Sequence, residues 1–268
     1  MQATKKMDDF FQSKTCIVVC GASRGLGECI SLTFARKFPA GSALILLGRD
    51  VKALENVKSK ISEECPHQMC VTQKFDQGSI QQENFDQLFE GIFQVHKISL
   101  SSFEQAVMVH SAATLGDITK YAKEMTDAET VKCNFDVNVT GAILLNSTFL
   151  KAFDDILKRV VINISSLAAI QPIKSLSLYC SGKSARDMFF RTLAVEEPSL
   201  RVLNYAPGPC DTDMHKDCRE KSKAPDTKQM FIDAFNSGVI LSCQTSIDKL
   251  CQILMTNFES GAHIDFYD

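Results

Sequence analysis

The sequence lacks a long apolar run and an excess of positive charge. No stretch of its 268 residues approaches the roughly 18 consecutive apolar residues that a membrane-spanning helix needs. Lysine and arginine number 29 against 32 aspartates and glutamates, which gives a net charge of −3. The charge balance excludes a general electrostatic footprint for nucleic acid or anionic membranes. With only 13 glycines and 7 prolines, the chain is not collagen-like or of low complexity.

Recognisable targeting signals and a disulfide framework are lacking as well. Residues 1–14 contain no apolar segment of a secretory signal peptide, and the final residues form neither a peroxisomal nor an ER-retention signal. The eleven cysteines are therefore interpreted as reduced thiols of a cytoplasmic protein. Cys65 and Cys70 flank His67, but they lack the C-x2-C spacing and the second ligand pair of a zinc site. No metal is predicted.

What the chain does contain is an alternation of strands and helices from residue 15 to about residue 205. Short apolar runs predict six strands, at 15–20, 42–47, 69–75, 105–110, 159–164 and 201–206. Helical spacing predicts helices over 25–38, 51–64, 80–97, 129–153 and 178–196. Because the strands are continuously apolar, we expect them to be buried on both faces.

This order of elements predicts an α/β fold: a single Rossmann-type, doubly wound parallel sheet with helices on both faces. Residues 1–268 are predicted to form one domain, in which 1–13 are flexible. The polar segment 213–230 has two interpretations. It is either a solvated loop or helix, or a lid over a site at the carboxyl ends of the strands.

A glycine-rich loop follows the first predicted strand. Glycines here permit a tight turn, close approach of a pyrophosphate and close packing of helix on strand. The helix that begins in this loop offers free N–H groups and a positive dipole end to phosphates. A purely structural turn is the alternative interpretation. The loop residues predicted to bind a dinucleotide are Gly21, Ser23, Arg24, Gly25, Leu26 and Gly27.

The end of the second strand indicates which dinucleotide binds. NAD-binding folds carry an acid there for the ribose 2′-OH. This chain has Gly48 and then Arg49, and Arg24 can converge on the same place, so the 2′-phosphate of NADP(H) is favoured. Asp50 is a candidate cofactor contact, although its position suits the N-cap of the next helix. Asp76 is predicted to accept a hydrogen bond from the adenine amino group, with a helix-start aspartate as the alternative.

A tyrosine, a lysine and a serine have the spacing of a carbonyl-reducing site. Tyr179 and Lys183 are spaced i, i+4 and therefore share one helix face. A lysine ammonium in this position is predicted to lower the tyrosine pKa from about 10, so that the phenol can transfer protons at pH 7. Ser166, just past the fifth strand, is predicted to hold and polarise the carbonyl oxygen. Asn138 is predicted to bind a backbone carbonyl or water and to extend a proton relay.

Together with the glycine loop, these four residues resemble the short-chain dehydrogenase/reductase family over nearly the whole chain. The resemblance implies that Tyr179 donates the proton, that Lys183 lowers its pKa and binds the nicotinamide ribose, and that Ser166 orients the carbonyl. It also implies a homodimer formed through the 129–153 helix and the Tyr179 helix. The additional cofactor contacts that we expect are Gln77, Ala112, Pro207, Cys210, Thr212 and Met214.

The chain departs from the family pattern in two places. Cys20 stands where the family usually has threonine, and residues 110–113 read His-Ser-Ala-Ala instead of Asn-Asn-Ala-Gly. The additional methyl group of Ala113 is predicted to weaken or displace the cofactor, at a cost of about 1–3 kcal/mol where nothing relaxes. His110 is interpreted as a histidine satisfied at a strand end.

Segments 163–188, 201–214 and 260–268 resemble the family's pterin carbonyl reductases more closely. This implies NADPH-dependent reduction of pterin side-chain carbonyls in tetrahydrobiopterin biosynthesis. Asp265 is predicted to accept hydrogen bonds from the 2-amino group and ring N–H of the pterin, with a solvated carboxylate near the chain end as the alternative. The alternative functions are a broad carbonyl or steroid reductase and a non-catalytic NADP-binding regulator. The predicted substrate contacts are Ser166, Leu167, Tyr179, Gly208 and Asp265.

Overall fold

A computed structural model of the protein describes residues 10–156 and 158–268. The described chain forms a seven-stranded sheet in the order β3-β2-β1-β4-β5-β6-β7, with every neighbouring pair parallel. The strands are β1 Thr15–Cys20, β2 Ala43–Gly48, β3 Met69–Lys74, β4 Gln105–His110, β5 Lys158–Ile164, β6 Arg201–Ala206 and β7 His263–Asp265. The predicted doubly wound parallel sheet is confirmed.

Helices cover both faces of this sheet. They are α1 Gly25–Lys37, α2 Val51–Glu64, α3 Gln82–Asp86, α4 Leu88–His96, α5 Ala128–Phe135, α6 Gly141–Ala152, α7 Ser177–Glu196, α8 Asp213–Lys221, α9 Pro225–Asn236 and α10 Cys243–Leu254. Helices α1, α2 and α10 pack their apolar residues on one face, and α3, α4, α6 and α7 pack on the other. The central strands are buried on both faces, as their continuous apolar runs predict. Among the described residues, no helix is long and apolar enough to cross a membrane.

Several elements differ from the sequence-based predictions. Strand β7 and helix α10 were not predicted. Strand β7 has only three residues and draws its stability from pairing with β6. The predicted helix 80–97 is broken at Gln87 into two helices. The predicted helix 129–153 contains a π-helical turn, Asp136–Thr140, between α5 and α6. Such turns often occur at functional sites.

The last part of the segment predicted to be flexible, residues 1–13, packs against the core. Residues 1–9 lie outside the described residues. Phe10 and Phe11 are buried, and their rings pack edge-to-face against Phe34 of α1 and Phe38. Edge-to-face contacts between aromatic rings add stability beyond the area that they bury. The chain is therefore anchored from Phe10 onward.

The parallel arrangement brings four loops to one edge of the sheet, because the carboxyl ends of parallel strands lie together. The loops after β1, β4, β5 and β6 meet there. The strand order reverses between β1 and β4, and ligands of doubly wound sheets bind in the crevice at such a point. Most candidate site residues lie in these loops and in the helices that follow them, and the others lie after β2, after β3 and in β7.

Candidate active site

The glycine loop after β1 combines tight packing with one open position. Gly21 has a φ of +85°, and a Cβ there would lie 2.6 Å from the Ala112 nitrogen. A Cβ on Gly27 would collide with the Gly21 carbonyl. Gly25 also has a positive φ, of +58°, but an added Cβ would meet only a Thr212 methyl group at 3.6 Å. The protein's own packing thus explains Gly21 and Gly27, while the space beside Gly25 remains open.

The amino end of α1 lies at this open position. Arg24 is its N-cap residue and makes no side-chain hydrogen bond to the first turn. The N–H groups of a first turn have no partners within their helix and attract anions. Ser23 and Leu26 are half-buried in the same loop. The loop therefore fits the phosphates of a dinucleotide.

The two arginines predicted to contact a 2′-phosphate are both exposed. Arg49 directly follows β2, and Arg24 Nη1 lies 2.9 Å from Asp213 Oδ2. An exposed ion pair of this kind is weak, on the order of 0–1 kcal/mol, so a phosphate can displace it. Asp50 Oδ1 accepts a hydrogen bond from the Ala53 nitrogen at 3.0 Å and caps α2. The N-cap position of Asp50 is confirmed. Because the Asp50 carboxylate is bonded to its own helix, Arg49 is the charged side chain at the end of β2 that remains available to a phosphate.

Two residues after β3 use their side chains within the protein. Asp76 Oδ1 accepts a hydrogen bond from the Gly78 nitrogen at 3.0 Å, while the residue is otherwise exposed. Gln77 is buried: its amide donates to the Val137 carbonyl at 2.5 Å and accepts from the Cys20 thiol at 3.2 Å. The geometry leaves Asp76 accessible to a cofactor, whereas the Gln77 side chain is already paired.

A buried arginine donates hydrogen bonds to the backbone at the end of β4 and in the loop that follows it. Arg186 is completely buried and donates to the carbonyls of His110 and Ala112, each at 2.9 Å. The His110 ring is also buried, 3.4 Å from Asn146 Oδ1, and packs on Phe190. Burial, reinforced by the nearby Arg186 charge, lowers the pKa of His110 to about 3. His110 is therefore a neutral core residue at a strand end, but among the described residues only its Nε2 has a hydrogen-bond partner and its buried Nδ1 has none, so it is not fully satisfied as predicted.

Tyr179 and Lys183 lie on the buried face of α7. Lys183 Nζ is 5.5 Å from the centre of the Tyr179 ring and donates to the Ile164 carbonyl at 2.6 Å. Burial raises the pKa of Tyr179 to about 12, while a hydrogen bond with Ser166 acts in the lowering direction. Burial, followed by the Arg186 charge, lowers the pKa of Lys183 well below its usual value.

The net direction for the pKa of Tyr179 is upward because burial outweighs the other causes, and the lowering of this pKa by Lys183 stays a prediction. The ammonium that would favour a phenolate is itself desolvated, and burial disfavours the charged form of both groups. The phenol is therefore a protonated donor at neutral pH.

Hydrogen bonds with backbone groups hold the side chains of Ser166 and Asn138 in place. Ser166 Oγ accepts from the Ala168 nitrogen at 3.1 Å. Asn138, in the π-helical turn, donates from Nδ2 to the Thr114 carbonyl at 2.8 Å and accepts from the Thr114 nitrogen at 2.9 Å. A Cβ on Gly182 would lie 2.9 Å from Asn138 Cβ, so glycine lets α7 pack against this turn. The predicted contact of Asn138 with a backbone carbonyl is confirmed.

The loop after β6 brings the remaining predicted contacts together. Gly208 has a φ of +70°, and a Cβ there would lie 2.9 Å from Leu241 Cδ1. The buried Cys210 thiol donates to the Pro207 carbonyl at 3.4 Å. Thr212 Oγ1 accepts from the His215 nitrogen at 3.3 Å and caps α8. These residues form a compact turn from which α8 starts beside the glycine loop.

Helices α8 and α9 form a cover over the Tyr179 region. Their residues Met214, Cys218 and Phe231 join an apolar cluster that contains Tyr179. The Lys223 nitrogen donates to the Ile118 carbonyl at 2.8 Å, and Asp226 pairs with Lys174. The segment 213–230, predicted as either a solvated loop or helix or a lid, thus belongs to two helices packed over the Tyr179 region, and its action as a lid stays a prediction. Leu167 lies 45% exposed next to Ser166.

The end of the chain is docked on the sheet. Strand β7 pairs with β6, with Asp265 opposite Ala206. Ile264 packs against the core, and the Phe266 nitrogen donates to the Ala206 carbonyl at 2.9 Å. Asp265 is half-buried, and its Oδ1 accepts from the Tyr267 nitrogen at 3.1 Å. The carboxylate therefore stands at the carboxyl edge of the sheet, next to the turn that follows β6.

A buried polar network beneath Lys183 was not predicted. Arg186 Nη2 donates to Asn163 Oδ1 at 2.6 Å, and Asn163 Nδ2 donates to Asp187 Oδ1 at 3.0 Å. Asp187 Oδ2 lies 2.5 Å from His263 Nδ1. The available signal was the pair of charged residues three and four positions after Lys183, on the same buried helix face.

The arrangement of fold, glycine loop and Ser-Tyr-Lys group defines a class of protein. Residues 15–223 match the family model described as short chain dehydrogenase, and the chain belongs to that family. The solved structure of the KRED1-Pglu enzyme has a TM-score of 0.78 and 25% sequence identity, over 94% of this chain and 100% of its own.

Within the family, the chain is 38% identical to sepiapterin reductase of Bos taurus, over 95% of each chain. It is 37% identical to sepiapterin reductase of Mus musculus, over 94% of this chain and 96% of the relative. The L-xylulose reductase of Caenorhabditis elegans is 30% identical, over 81% of this chain and 79% of the relative.

Proposed function

We propose that the protein is an NADPH-dependent sepiapterin reductase. It reduces side-chain carbonyls of pterins, such as sepiapterin and 6-pyruvoyl-tetrahydropterin, in tetrahydrobiopterin biosynthesis. The observation that carries this proposal is the position of Asp265. A half-buried carboxylate lies at the same sheet edge as Ser166, Tyr179 and Lys183, where it can accept two hydrogen bonds from a planar donor pair. The full-length similarity to sepiapterin reductases supports the same assignment.

The residues present fit NADPH. The open space beside Gly25 and the uncapped first turn of α1 would hold the pyrophosphate. Arg24 and Arg49 would pair with the 2′-phosphate, and Asp76 would accept from the adenine amino group. NADPH, when bound, supplies the hydride for the substrate carbonyl carbon. The further predicted contacts Ala112, Pro207, Cys210, Thr212 and Met214 line the same edge, whereas Gln77 contributes its backbone because its side chain is paired.

The residues of α7 and of the loop after β5 provide the acid chemistry. Ser166 holds the carbonyl oxygen, and Tyr179 donates its phenolic proton to that oxygen. Because burial raises the pKa of Tyr179, the phenol remains protonated at neutral pH until it donates. Lys183, fixed by the Ile164 carbonyl, binds the nicotinamide ribose. Asn138 holds the Thr114 backbone against α7 and extends the proton relay.

The substrate lies between the lid and the end of the chain. Leu167 and Gly208 contact the pterin ring, and Asp265 binds its 2-amino group and ring N–H. The apolar cluster of the lid excludes water from the Tyr179 side. Exclusion of water strengthens the electrostatic interactions inside such a site.

The test is NADPH oxidation with sepiapterin, compared with simple quinones and steroids. We expect the highest kcat/KM for sepiapterin. Comparable or higher kcat/KM values for quinones and steroids would instead indicate a broad carbonyl reductase. Binding of NADPH without turnover of any of these substrates would indicate a non-catalytic regulator.

We also propose a cytoplasmic homodimer in which each chain acts as one domain. All eleven cysteines are free, which suits a reducing compartment. Met188 and Val195 of α7 are 57% and 79% exposed, and such apolar residues favour a partner on this helix. Light scattering at micromolar concentration tests the proposal, and a monomeric mass would contradict it.

A further inference from the structure

Strand β7 carries Asp265 and is short, although backbone hydrogen bonds of Ala262 and Phe266 to β6 extend its pairing by one residue at each end. Its register with β6 covers three residue pairs, from Asn204 with His263 to Ala206 with Asp265. Within residues 10–156 and 158–268, it is also the last strand at this edge of the sheet and pairs on one side only. A strand of this length needs additional contacts to keep a fixed position.

His263 provides such a contact. Its Nδ1 lies 2.5 Å from Asp187 Oδ2, and the Asp187 side chain is only 7% exposed. The other carboxylate oxygen, Oδ1, accepts from Ser165 Oγ at 2.6 Å and from Asn163 Nδ2 at 3.0 Å. One buried carboxylate therefore joins β7 to α7 and to the end of β5.

Asp187 and Ser165 are direct neighbours of the proposed catalytic residues. Asp187 follows Lys183 by four residues, one helical turn along the same face of α7. Ser165 precedes Ser166 in the chain. His263 and Asp265 are two residues apart in β7 and so lie on the same face of that strand.

We propose that His263 is a positioning residue for pterin binding, whose bond to Asp187 holds β7 and Asp265 at a fixed place relative to Ser166 and Tyr179. This inference rests on the proposed function, because it assumes that Asp265 binds the pterin. His263 acts through Asp265 and takes no part in the chemical step. Its loss therefore affects substrate binding and leaves the chemistry of a bound carbonyl intact.

The charges around His263 make this contact sensitive to pH. Asp187 faces it from α7, and Asp265 and Asp268 belong to its own segment. Arg191 of α7 and Glu259 line the same surface groove as His263. The hydrogen bond with Asp187 is the main cause that raises the pKa of His263, and burial opposes it.

The raised pKa of His263 determines how its pairing with Asp187 depends on pH. A raised pKa in the folded protein means that the charged pair is fully present below about pH 6.5, the ordinary value for histidine. It is lost as the pH rises through the raised pKa, when only a neutral hydrogen bond remains. The KM for sepiapterin should therefore increase as the pH rises through the raised pKa of His263.

The experiment compares His263→Ala and His263→Gln with the wild-type enzyme on sepiapterin and on a small dicarbonyl that does not reach Asp265. For His263→Ala we expect a KM for sepiapterin raised about threefold to tenfold, with kcat nearly unchanged and the dicarbonyl unaffected. His263→Gln retains a donor to Asp187 but cannot titrate. It should restore part of the KM, to about the level of wild-type enzyme whose His263 is neutral, and it should remove the increase of KM with pH attributed to His263. The matched control is Thr192→Ala in the same groove, whose hydroxyl bonds Met188 of its own helix.

The outcomes separate this inference from the proposed function. Equal losses on both substrates, or no rescue by glutamine, would show that His263 is merely structural and would overturn the inference. An unchanged KM in His263→Ala, when Asp265→Asn raises it, would overturn it too. Absence of sepiapterin turnover by the wild-type enzyme would instead contradict the proposed function. Thermal unfolding of each variant confirms that the compared proteins are folded.

Discussion

The amine of Lys183 donates a hydrogen bond of 2.6 Å to the carbonyl of Ile164. This bond joins the middle of α7 to the last residue of β5, two residues before Ser166. The phenol of Tyr179 and the hydroxyl of Ser166 are thereby held on one rigid frame. A frame of this kind fixes the geometry of proton donation before substrate arrives.

Replacing Tyr179 with phenylalanine should remove the proton donor and keep the ring. We expect kcat to fall by about 10²- to 10⁴-fold, the usual contribution of a general acid, while NADPH still binds. Steady-state kinetics and NADPH fluorescence titration measure the two effects. Turnover close to that of the wild type would show that a different group donates the proton.

Replacing Arg49 with aspartate should change the cofactor preference from NADPH toward NADH. The variant loses a charge-assisted contact worth about 1.5–3 kcal/mol and places a carboxylate near the 2′-phosphate. The ratio of kcat/KM for NADPH to that for NADH should fall at least tenfold. The control is Lys151→Asp, which makes the same change from positive to negative charge at an exposed residue of α6. An unchanged ratio in the Arg49 variant would remove this residue from the cofactor site.

Replacing Asp265 with asparagine should impair binding of the pterin ring selectively. The amide keeps the shape of the side chain but replaces a carboxylate, whose two oxygens accept hydrogen bonds, with a neutral group that has one accepting oxygen. The KM for sepiapterin should rise about tenfold or more, and the KM for a small dicarbonyl should change little. A matched decrease in activity on both substrates would point to a folding role, and unchanged kinetics on both would identify a solvated carboxylate.

Replacing Arg186 with glutamine should destabilise the fold. The buried guanidinium is bonded to the carbonyls of His110 and Ala112 and to Asn163, and truncation leaves buried acceptors unpaired. We expect a loss of about 3–5 kcal/mol in the free energy of unfolding, measured with urea. Arg191→Gln, an exposed residue of the same helix, should stay within about 0.5 kcal/mol. Similar losses in both variants would contradict a special role for Arg186.

The sequence was sufficient for the regular part of this fold. The strands at 15–20, 105–110 and 201–206 and the helix at 51–64 have the predicted bounds, because apolar periodicity and helix caps are local signals. The i, i+4 spacing of Tyr179 and Lys183 likewise defines a shared helix face without knowledge of the rest of the molecule. The glycine loop is a local signal of the same kind.

What the tertiary structure alone decided depends on distant contacts and on burial. The π-helical turn that holds Asn138 packs against Gly182 of a distant helix, and β7 depends on its pairing with β6. The raised pKa of Tyr179 reflects desolvation, which no spacing of residues specifies. The pairing of Asp187 with His263 spans 76 positions of the chain. Local sequence determined the elements and the chemical groups, whereas the closed core determined which groups meet and how strongly each holds its proton.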